Sequence, residues 1–171
     1  MADELWDMLS LEHGVVAVVA SNDRIIRICF KCSADEISTA IKNFYPGANQ
    51  KSTLLIEDGL KQLVEYFRAE RRTFNVPLAN DSLTPFARKV QRELLKVPYG
   101  SVISYGELAE QAGSPRAARA VGGVMASNPF PLIVPCHRVV NADGHIGHYS
   151  AGHGSKTKVW LLEFEGRAVN S

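Results

Sequence analysis

Residues 104–127 read SYGELAEQAGSPRAARAVGGVMAS, and this stretch decides how the second half of the chain folds. Ser104 followed by Glu107 is a capping box, which predicts a short helix that Gly113 can close. The dipeptide Ser114-Pro115 predicts the start of a second helix. Two helices separated by a turn of about three residues have the spacing of a helix-turn-helix motif.

The second predicted helix, residues 115–127, carries mostly small side chains between its arginines. Small side chains let a helix backbone come close to another surface, which fits either tight packing on a neighbouring helix or insertion into a narrow DNA groove. Arg116 and Arg119 are expected near the positive N-terminal end of this helix. Helices that read base edges usually carry Asn, Gln or several Arg, so sequence-specific recognition is not expected.

The rest of the second half is predicted to be mostly helical. Thr84 is a good N-cap, and Pro85 fits the first position of the helix that follows. Asp143-Gly144 indicates a hairpin turn, and residues 155–165 are predicted to form a closing helix. We therefore expect a winged helix-turn-helix-like C-terminal lobe.

The first half is predicted to be a small α/β lobe with a β-hairpin or short sheet. Residues 15–20 and 24–30 are rich in strand-forming residues and are joined by a turn-like segment. Two helices are expected after them, the first capped by Ser33. Polar residues 79–82 resemble a linker, so we predict lobes at 1–82 and 83–171. The fold class expected for the chain is α/β, of the α+β kind.

Composition sets limits on the kind of protein. The chain has 171 residues, 46% of them hydrophobic and 22% charged, which suits one globular domain or two small lobes. We expect no membrane span and no secretory signal, because the apolar runs are short and the first residues are acidic. An odd count of three cysteines argues against a secreted disulfide scaffold. The expected location is the cytoplasm, at the nucleoid in a prokaryote, or the nucleus in a eukaryote.

Charge is distributed unevenly between the two halves. Residues 1–82 hold nine Lys or Arg and twelve Asp or Glu, which gives a net charge of −3. Residues 83–171 hold ten basic and six acidic residues, which gives +4. The second half is therefore the expected face for a polyanion, although an ordinary solvated surface also accounts for an excess of this size.

A candidate nucleophile lies at Cys136, within Pro135-Cys136-His137-Arg138 and directly after an apolar segment. The thiolate is the reactive form of cysteine, and a free thiol with a pKa near about 8.5 needs a basic partner at neutral pH. His137 or Arg138 could be this basic partner, because both lie close to Cys136 in the sequence. An inert buried cysteine is the alternative that these residues alone leave open.

The motifs around Cys136 resemble those of the O6-alkylguanine-DNA alkyltransferase family. The resemblance covers about residues 84–166 and rests on these segments: 100–105, 116–122, 128–131, 133–139, 147–150, and 160–162 with 165–166. It implies direct reversal of DNA damage, in which one alkyl group moves from O6-alkylguanine to Cys136 in a single turnover. Activity on O4-alkylthymine stays open. The first half fits the family's N-terminal lobe only in length and strand pattern.

The resemblance also implies a role for each matched catalytic position. Cys136 is the alkyl acceptor, and His137 is the base that activates it through a water. Glu165 orients His137, Asn128 holds the active-site turn together, and Tyr105 donates a proton to the guanine ring. Taken singly, each residue favours a structural interpretation: Tyr105 is then an aromatic residue of the core, and Glu165 is a solvated residue in the last turn of a helix.

The remaining implied roles concern DNA. Arg119 takes the place of the extruded nucleotide, although on its own it could make a surface ion pair. The residues expected to contact DNA are Ser114, Arg116, Ala118, Arg119, Gly122 and Met125. Those expected to line the alkylguanine pocket are Pro131, Val139, Tyr149 and Ser150. The implied partner is double-stranded DNA, bound through the minor groove without sequence specificity by a monomer.

Two further observations qualify this interpretation. Ala151 stands where the family often has glycine, which leaves the tolerance of bulky alkyl groups open. Cys29 and Cys32 form a Cys-x-x-Cys with His13 upstream, a weak pattern for structural zinc, so no cofactor is expected. The rival functions are a winged-helix DNA-binding protein without catalysis and a Cys–His hydrolase that turns over many times.

Overall fold

The computed structural model describes residues 3–166, and residue contacts divide the chain into the units Met1–Ala79 and Asn80–Ser171. The first unit contains a four-stranded sheet. Strands β1 (Glu4–Leu11), β2 (Gly14–Ser21) and β3 (Arg24–Lys31) form an antiparallel meander, and β4 (Asn49–Gln50) pairs parallel with β1. The strand order is β3-β2-β1-β4.

The hairpin predicted from the sequence is confirmed as β2 and β3. Strand β1 was not predicted, because only Trp6 within it is fully buried and its sequence lacks the regular alternation of a half-buried strand. Every residue from Val15 to Ala20 is buried, so β2 is covered on both faces of the sheet.

Each face of this sheet is covered by one helix. Helix α1 (Ala34–Phe44) packs Ile37 and Ile41 into a cluster that includes Trp6. Helix α2 (Leu54–Phe67) covers the other face, and a side chain at Gly59 would lie 3.2 Å from both Ile25 and Val18. The predicted α/β character of this unit is confirmed.

The second unit is mostly helical, as predicted. Its helices are α3 (Pro85–Leu94), α4 (Tyr105–Gln111), α5 (Ala118–Ala126) and α6 (Ser155–Phe164). Two short strands, β5 (Ile103–Ser104) and β6 (Val139–Val140), pair in parallel. Within residues 3–166, none of the helices combines the length and apolar character needed to cross a bilayer.

The turn between α4 and α5 is longer than the sequence indicated. The capping box at Ser104 and Glu107 forms with both of its hydrogen bonds. Helix α5, however, begins at Ala118 and not at Pro115. The Ser114 N–H is donated to Ala109 and its carbonyl accepts the Ala117 N–H at 2.9 Å, so residues 114–117 form a separate turn.

The capping box provides a test of local stability. In Ser104→Ala the Glu107 N–H loses its acceptor, which typically costs about 1 kcal/mol, and a thermal melt should show a midpoint lowered by about 2–4 °C. Ser127→Ala is the control, because the Ser127 hydroxyl donates to the Gly123 and Val124 carbonyls of α5 and accepts no backbone N–H at a helix start. Equal midpoints for the two variants would contradict the capping role.

Candidate active site

Cys136 lies at the start of a single 3-10 turn, Cys136–Arg138, within a stretch where residues 131–140 are all buried. The Cys136 N–H is donated to Val134 at 2.8 Å and the Arg138 N–H to Pro135 at 2.9 Å. The segment is therefore a turn and not an extended strand. Because a 3-10 turn has about three residues, successive side chains point about 120° apart, so Cys136 and His137 still diverge.

Asn128 holds the segment that leads into this turn. Its Nδ2 donates to the Val134 carbonyl at 2.9 Å, and its Oδ1 accepts the Phe130 N–H at 3.0 Å. Between them Leu132 adopts φ +73°, a left-handed conformation that bulky residues rarely take. The side-chain amide therefore braces a strained loop.

Glu165 is the centre of a buried hydrogen-bonded cluster. One carboxylate oxygen pairs with His137 Nε2 at 2.8 Å, and Arg138 donates from Nε at 2.9 Å and from Nη2 at 3.0 Å. The Gly100 N–H adds a fourth donor at 3.2 Å. Burial alone would raise the pKa of Glu165, but the bonds from His137 and Arg138 outweigh it and hold that pKa well below its usual range.

This cluster fixes the state of His137. An ionised carboxylate can only accept a hydrogen bond, so His137 Nε2 is the donor and carries the proton. The other ring nitrogen, Nδ1, is then an acceptor, and it has no hydrogen-bond partner among residues 3–166. Burial lowers the pKa of His137, against the opposing effect of Glu165. The imidazole is therefore neutral near pH 7, with its basic nitrogen free.

Cys136 is a neutral thiol in the same resting state. Burial raises the pKa of Cys136, while the Asn128 side chain and the charge of Lys158 act in the opposite direction. Arg138, which the sequence offered as a partner for the thiol, binds Glu165 and the Val97 carbonyl instead. Activation of Cys136 thus requires a base, and His137 is the base provided.

Lys158 is a functional candidate that the sequence reasoning missed. It is fully buried, donates to the Val139 carbonyl at 2.5 Å, and lies 5.9 Å from the centre of the Tyr105 ring. Burial lowers the pKa of Lys158 to about 8, opposed by Cys136. The sequence gives one indication that Lys158 is buried: it lies one helical turn before Leu161 and Leu162, and so on the same face of α6.

A cavity of about 110 Å³ opens beside the thiol. Its lining consists of Tyr105, Gly122, Met125, Ala126, Cys136, His148, Tyr149 and Ser150. Burial raises the pKa of Tyr105, with a smaller contribution from Cys136, so its hydroxyl stays protonated. A side chain at Gly147 would lie 2.6 Å from the Tyr105 hydroxyl, so this hydroxyl needs the glycine beside it.

The predicted pocket residues divide into two groups. Tyr149 and Ser150 line the cavity with Cys136 and Tyr105. Pro131 and Val139 are buried and are not part of its lining, and Val139 contributes the carbonyl that Lys158 binds. Of the four residues predicted to line the pocket, two therefore lie on the cavity and two lie outside its lining.

The predicted DNA-contacting residues lie on and before α5. Arg119 is exposed on the helix, whereas Arg116 is exposed in the preceding turn beside the half-buried Ser114. Ala118 is half-buried, and a side chain at Gly122 would meet no atom within 4 Å. Gly122 does not press on a neighbouring helix, so the backbone is approachable there.

Met125 differs from this group. It is buried and lines the cavity next to Cys136, rather than lying on the exposed face of α5. Helix α5 thus contributes Gly122, Met125 and Ala126 to the lining of the cavity.

The weak zinc pattern is not assembled among residues 3–166, which contain no group of three or more His, Cys, Asp or Glu placed to hold a metal ion. Cys29 is buried in β3, while Cys32 follows the end of that strand. His13 lies at the β1–β2 turn with its side chain 46% exposed.

Family models match nearly the whole chain. The 6-O-methylguanine DNA methyltransferase DNA-binding domain matches residues 85–167, and the ribonuclease-like domain of the same family matches residues 5–80. The constitutive methylated-DNA–protein-cysteine methyltransferase of Bacillus subtilis is 37% identical over 152 residues, which is 89% of each chain. The mouse methyltransferase is 50% identical over 113 residues, 61% of this chain and 52% of the mouse protein, so the match spans about half of that relative.

Solved structures give the same result. The O6-methylguanine methyltransferase of Mycobacterium tuberculosis superposes with a TM-score of 0.76 at 30% identity, over 100% of this chain and 97% of that one. A Mycobacterium tuberculosis structure in complex with DNA has a TM-score of 0.73 at 32% identity, over 95% and 93% of the two chains.

The Glu165 cluster predicts how stability depends on pH. Because the folded-state pKa of Glu165 is lowered, its contribution is present above the unfolded pKa of about 4.3 and is lost as the pH falls through the folded value. Glu165→Gln should lower the free energy of unfolding by about 3–5 kcal/mol at pH 7, since it leaves Arg138 buried without its counter-charge.

Denaturant titrations measure the free energy of unfolding of wild type and of Glu165→Gln. The difference between the two free energies should become smaller as the pH is lowered from about 5 to about 2. Glu163→Gln, at an exposed position of the same helix, is the control and should match wild type. If the free energies of unfolding of wild type and Glu165→Gln differ by the same amount over this range, the ionised carboxylate is not the stabilising species.

Proposed function

The chain belongs to the 6-O-methylguanine DNA methyltransferase family, and we propose that it repairs DNA by moving a methyl or other alkyl group from guanine O6 onto Cys136. The observation that carries this proposal is the His137–Glu165 pair, at 2.8 Å, behind a thiol that lines a small cavity. A nucleophile, a base and a group that orients the base are the parts that covalent catalysis requires.

The first step creates the thiolate. The Cys136 proton passes to a bridging water as a proton of that water passes to His137 Nδ1, the free acceptor of the imidazole. The imidazolium formed in this way is stabilised by the ionised Glu165. Lys158 supplies positive charge close to the new thiolate while it is protonated, and its pKa of about 8 allows this near neutral pH.

The second step transfers the alkyl group. The Cys136 sulfur forms a bond to the alkyl carbon, and the bond from that carbon to guanine O6 breaks with its electron pair remaining on the base. Tyr105, whose burial keeps the hydroxyl protonated, donates a proton to the guanine ring so that the base leaves as a neutral molecule. The alkyl thioether that forms resists hydrolysis, because a thiolate leaves an alkyl carbon poorly, so the acceptor is consumed.

The DNA surface is assigned to α5 and the turn before it. Exposed Arg119 and Arg116, with the open backbone at Gly122, suit a helix pressed into the minor groove. We propose binding without sequence specificity, by a monomer, with Arg119 filling the place of the extruded nucleotide. The reaction as written needs no cofactor, and a reducing compartment such as the cytoplasm or nucleus suits a free thiol acceptor.

The stoichiometry of label transfer tests the proposed function. Incubation with duplex DNA carrying labelled O6-methylguanine should place at most one methyl on each protein molecule. Cys136→Ser should abolish the transfer, while Cys29→Ser and Cys32→Ser, which lie in the other unit, should not change it. Turnover beyond one equivalent would indicate a hydrolase, and DNA binding without any transfer would indicate a non-catalytic binding protein.

Arg119 provides a separate test of base extrusion. Arg119→Ala should slow transfer from duplex DNA by about tenfold or more, because extruding a base costs a few kcal/mol that the inserted side chain offsets. Transfer from free O6-methylguanine should be nearly unchanged, since a free base needs no extrusion. Equal slowing with both substrates would contradict the assignment.

A further inference from the structure

Tyr149 carries a buried hydroxyl that the proposed reaction does not use. The residue is 5% exposed and lines the cavity together with Cys136 and Tyr105. Its oxygen is buried and has no hydrogen-bond partner among the described residues 3–166. A buried hydroxyl left unbonded is unfavourable, so its presence requires an explanation.

The surroundings of Tyr149 are those of the proton-transfer path. Burial raises the pKa of Tyr149 well above its usual value, and Cys136 and then Glu165 add to this. The hydroxyl therefore stays protonated and acts as a donor next to the thiol. His137 Nδ1 is the other buried polar atom of this site that lacks a partner, and its ring is bonded to the same Glu165.

The titratable and charged groups of this site come from several elements. Cys136 and Glu165 act on Tyr149 directly, and Tyr105 and His148 line the same cavity. His137, Arg138 and Lys158 belong to the same buried site, where His137 and Arg138 bind Glu165 and Lys158 acts on Cys136. Of these, His137 is neutral, Glu165 is paired with Arg138, and Tyr105 is protonated. The Tyr149 hydroxyl is therefore placed to stabilise the negative charge that forms at Cys136 when the thiol loses its proton.

We propose that Tyr149 is a positioning residue, whose hydroxyl donates to the water that joins the Cys136 thiol to His137. The water then has three partners: it accepts from Tyr149 and from the thiol, and it donates to Nδ1. Three hydrogen bonds are typical of a buried water. As the thiol proton moves to the water and a water proton moves to Nδ1, the bond from Tyr149 fixes the water in line between them.

This proposal rests on the proposed function but can fail independently of it. Tyr149→Phe removes only the oxygen and keeps the ring in the pocket wall. In a Cys29→Ser, Cys32→Ser background, the rate of Cys136 modification by iodoacetamide without DNA is measured from pH 6 to pH 10. We expect the pH midpoint to rise and the rate at pH 7 to fall on the order of tenfold, as losing a hydrogen bond to a developing charge implies.

Tyr99→Phe is the matched control, because the Tyr99 hydroxyl lies at 3.5 Å from the Phe164 carbonyl and does not line the cavity. Its pH midpoint should equal that of wild type. Replacing Tyr149 with 3-fluorotyrosine keeps the shape of the ring and makes the hydroxyl a stronger donor, so the midpoint should move below that of wild type.

An unchanged midpoint in Tyr149→Phe overturns the proposal, whether the rate stays the same or falls equally at all pH values. The second of these results would show that Tyr149 acts through packing. Failure of the proposed function would appear separately, as the absence of label transfer to wild-type protein.

Discussion

The ionised Glu165 carboxylate, buried with four donors on its two oxygens, is the interaction on which the reactive centre depends. Arg138 neutralises its charge, which makes burial tolerable, and holds it in one orientation by two bonds. The hydrogen bond from His137 Nε2 fixes the tautomer of His137 and turns the basic nitrogen away from the carboxylate. In the resting state, therefore, Cys136 is a neutral thiol and His137 a neutral imidazole. These two residues become thiolate and imidazolium only when proton transfer begins.

The second unit is arranged so that separate segments meet at this carboxylate. Glu165 is the C-cap of α6, His137 and Arg138 come from one 3-10 turn, and Gly100 follows the end of α3. Asn128 braces the loop in which Leu132 is strained, so the position of Cys136 is set by hydrogen bonds as well as by packing. Helix α5 contributes Met125 to the cavity and exposes Arg119, which joins the chemical site to the surface proposed for DNA.

Local patterns predicted much of this architecture. The caps at Ser33, Thr84 and Ser104 and the hairpin of β2 and β3 were predicted correctly, and the family resemblance read from the Pro-Cys-His-Arg region was confirmed. The start of α5 was wrong because Ser114 bonds back to α4, which no local pattern reveals. The partner of Arg138 and the burial of Lys158 depend on contacts between segments distant in sequence, and periodicity alone does not establish such contacts.

The central claim is that burial keeps His137 a neutral imidazole, while its hydrogen bond to Glu165 places the proton on Nε2 and leaves Nδ1 free to accept another. Nitrogen-15 NMR of the histidine side chains in the unmodified protein, assigned with His137→Gln, measures this state directly. At pH 7 the account predicts a protonated Nε2 and an unprotonated Nδ1 for His137. An imidazolium at this pH, or the tautomer with the proton on Nδ1, would contradict it.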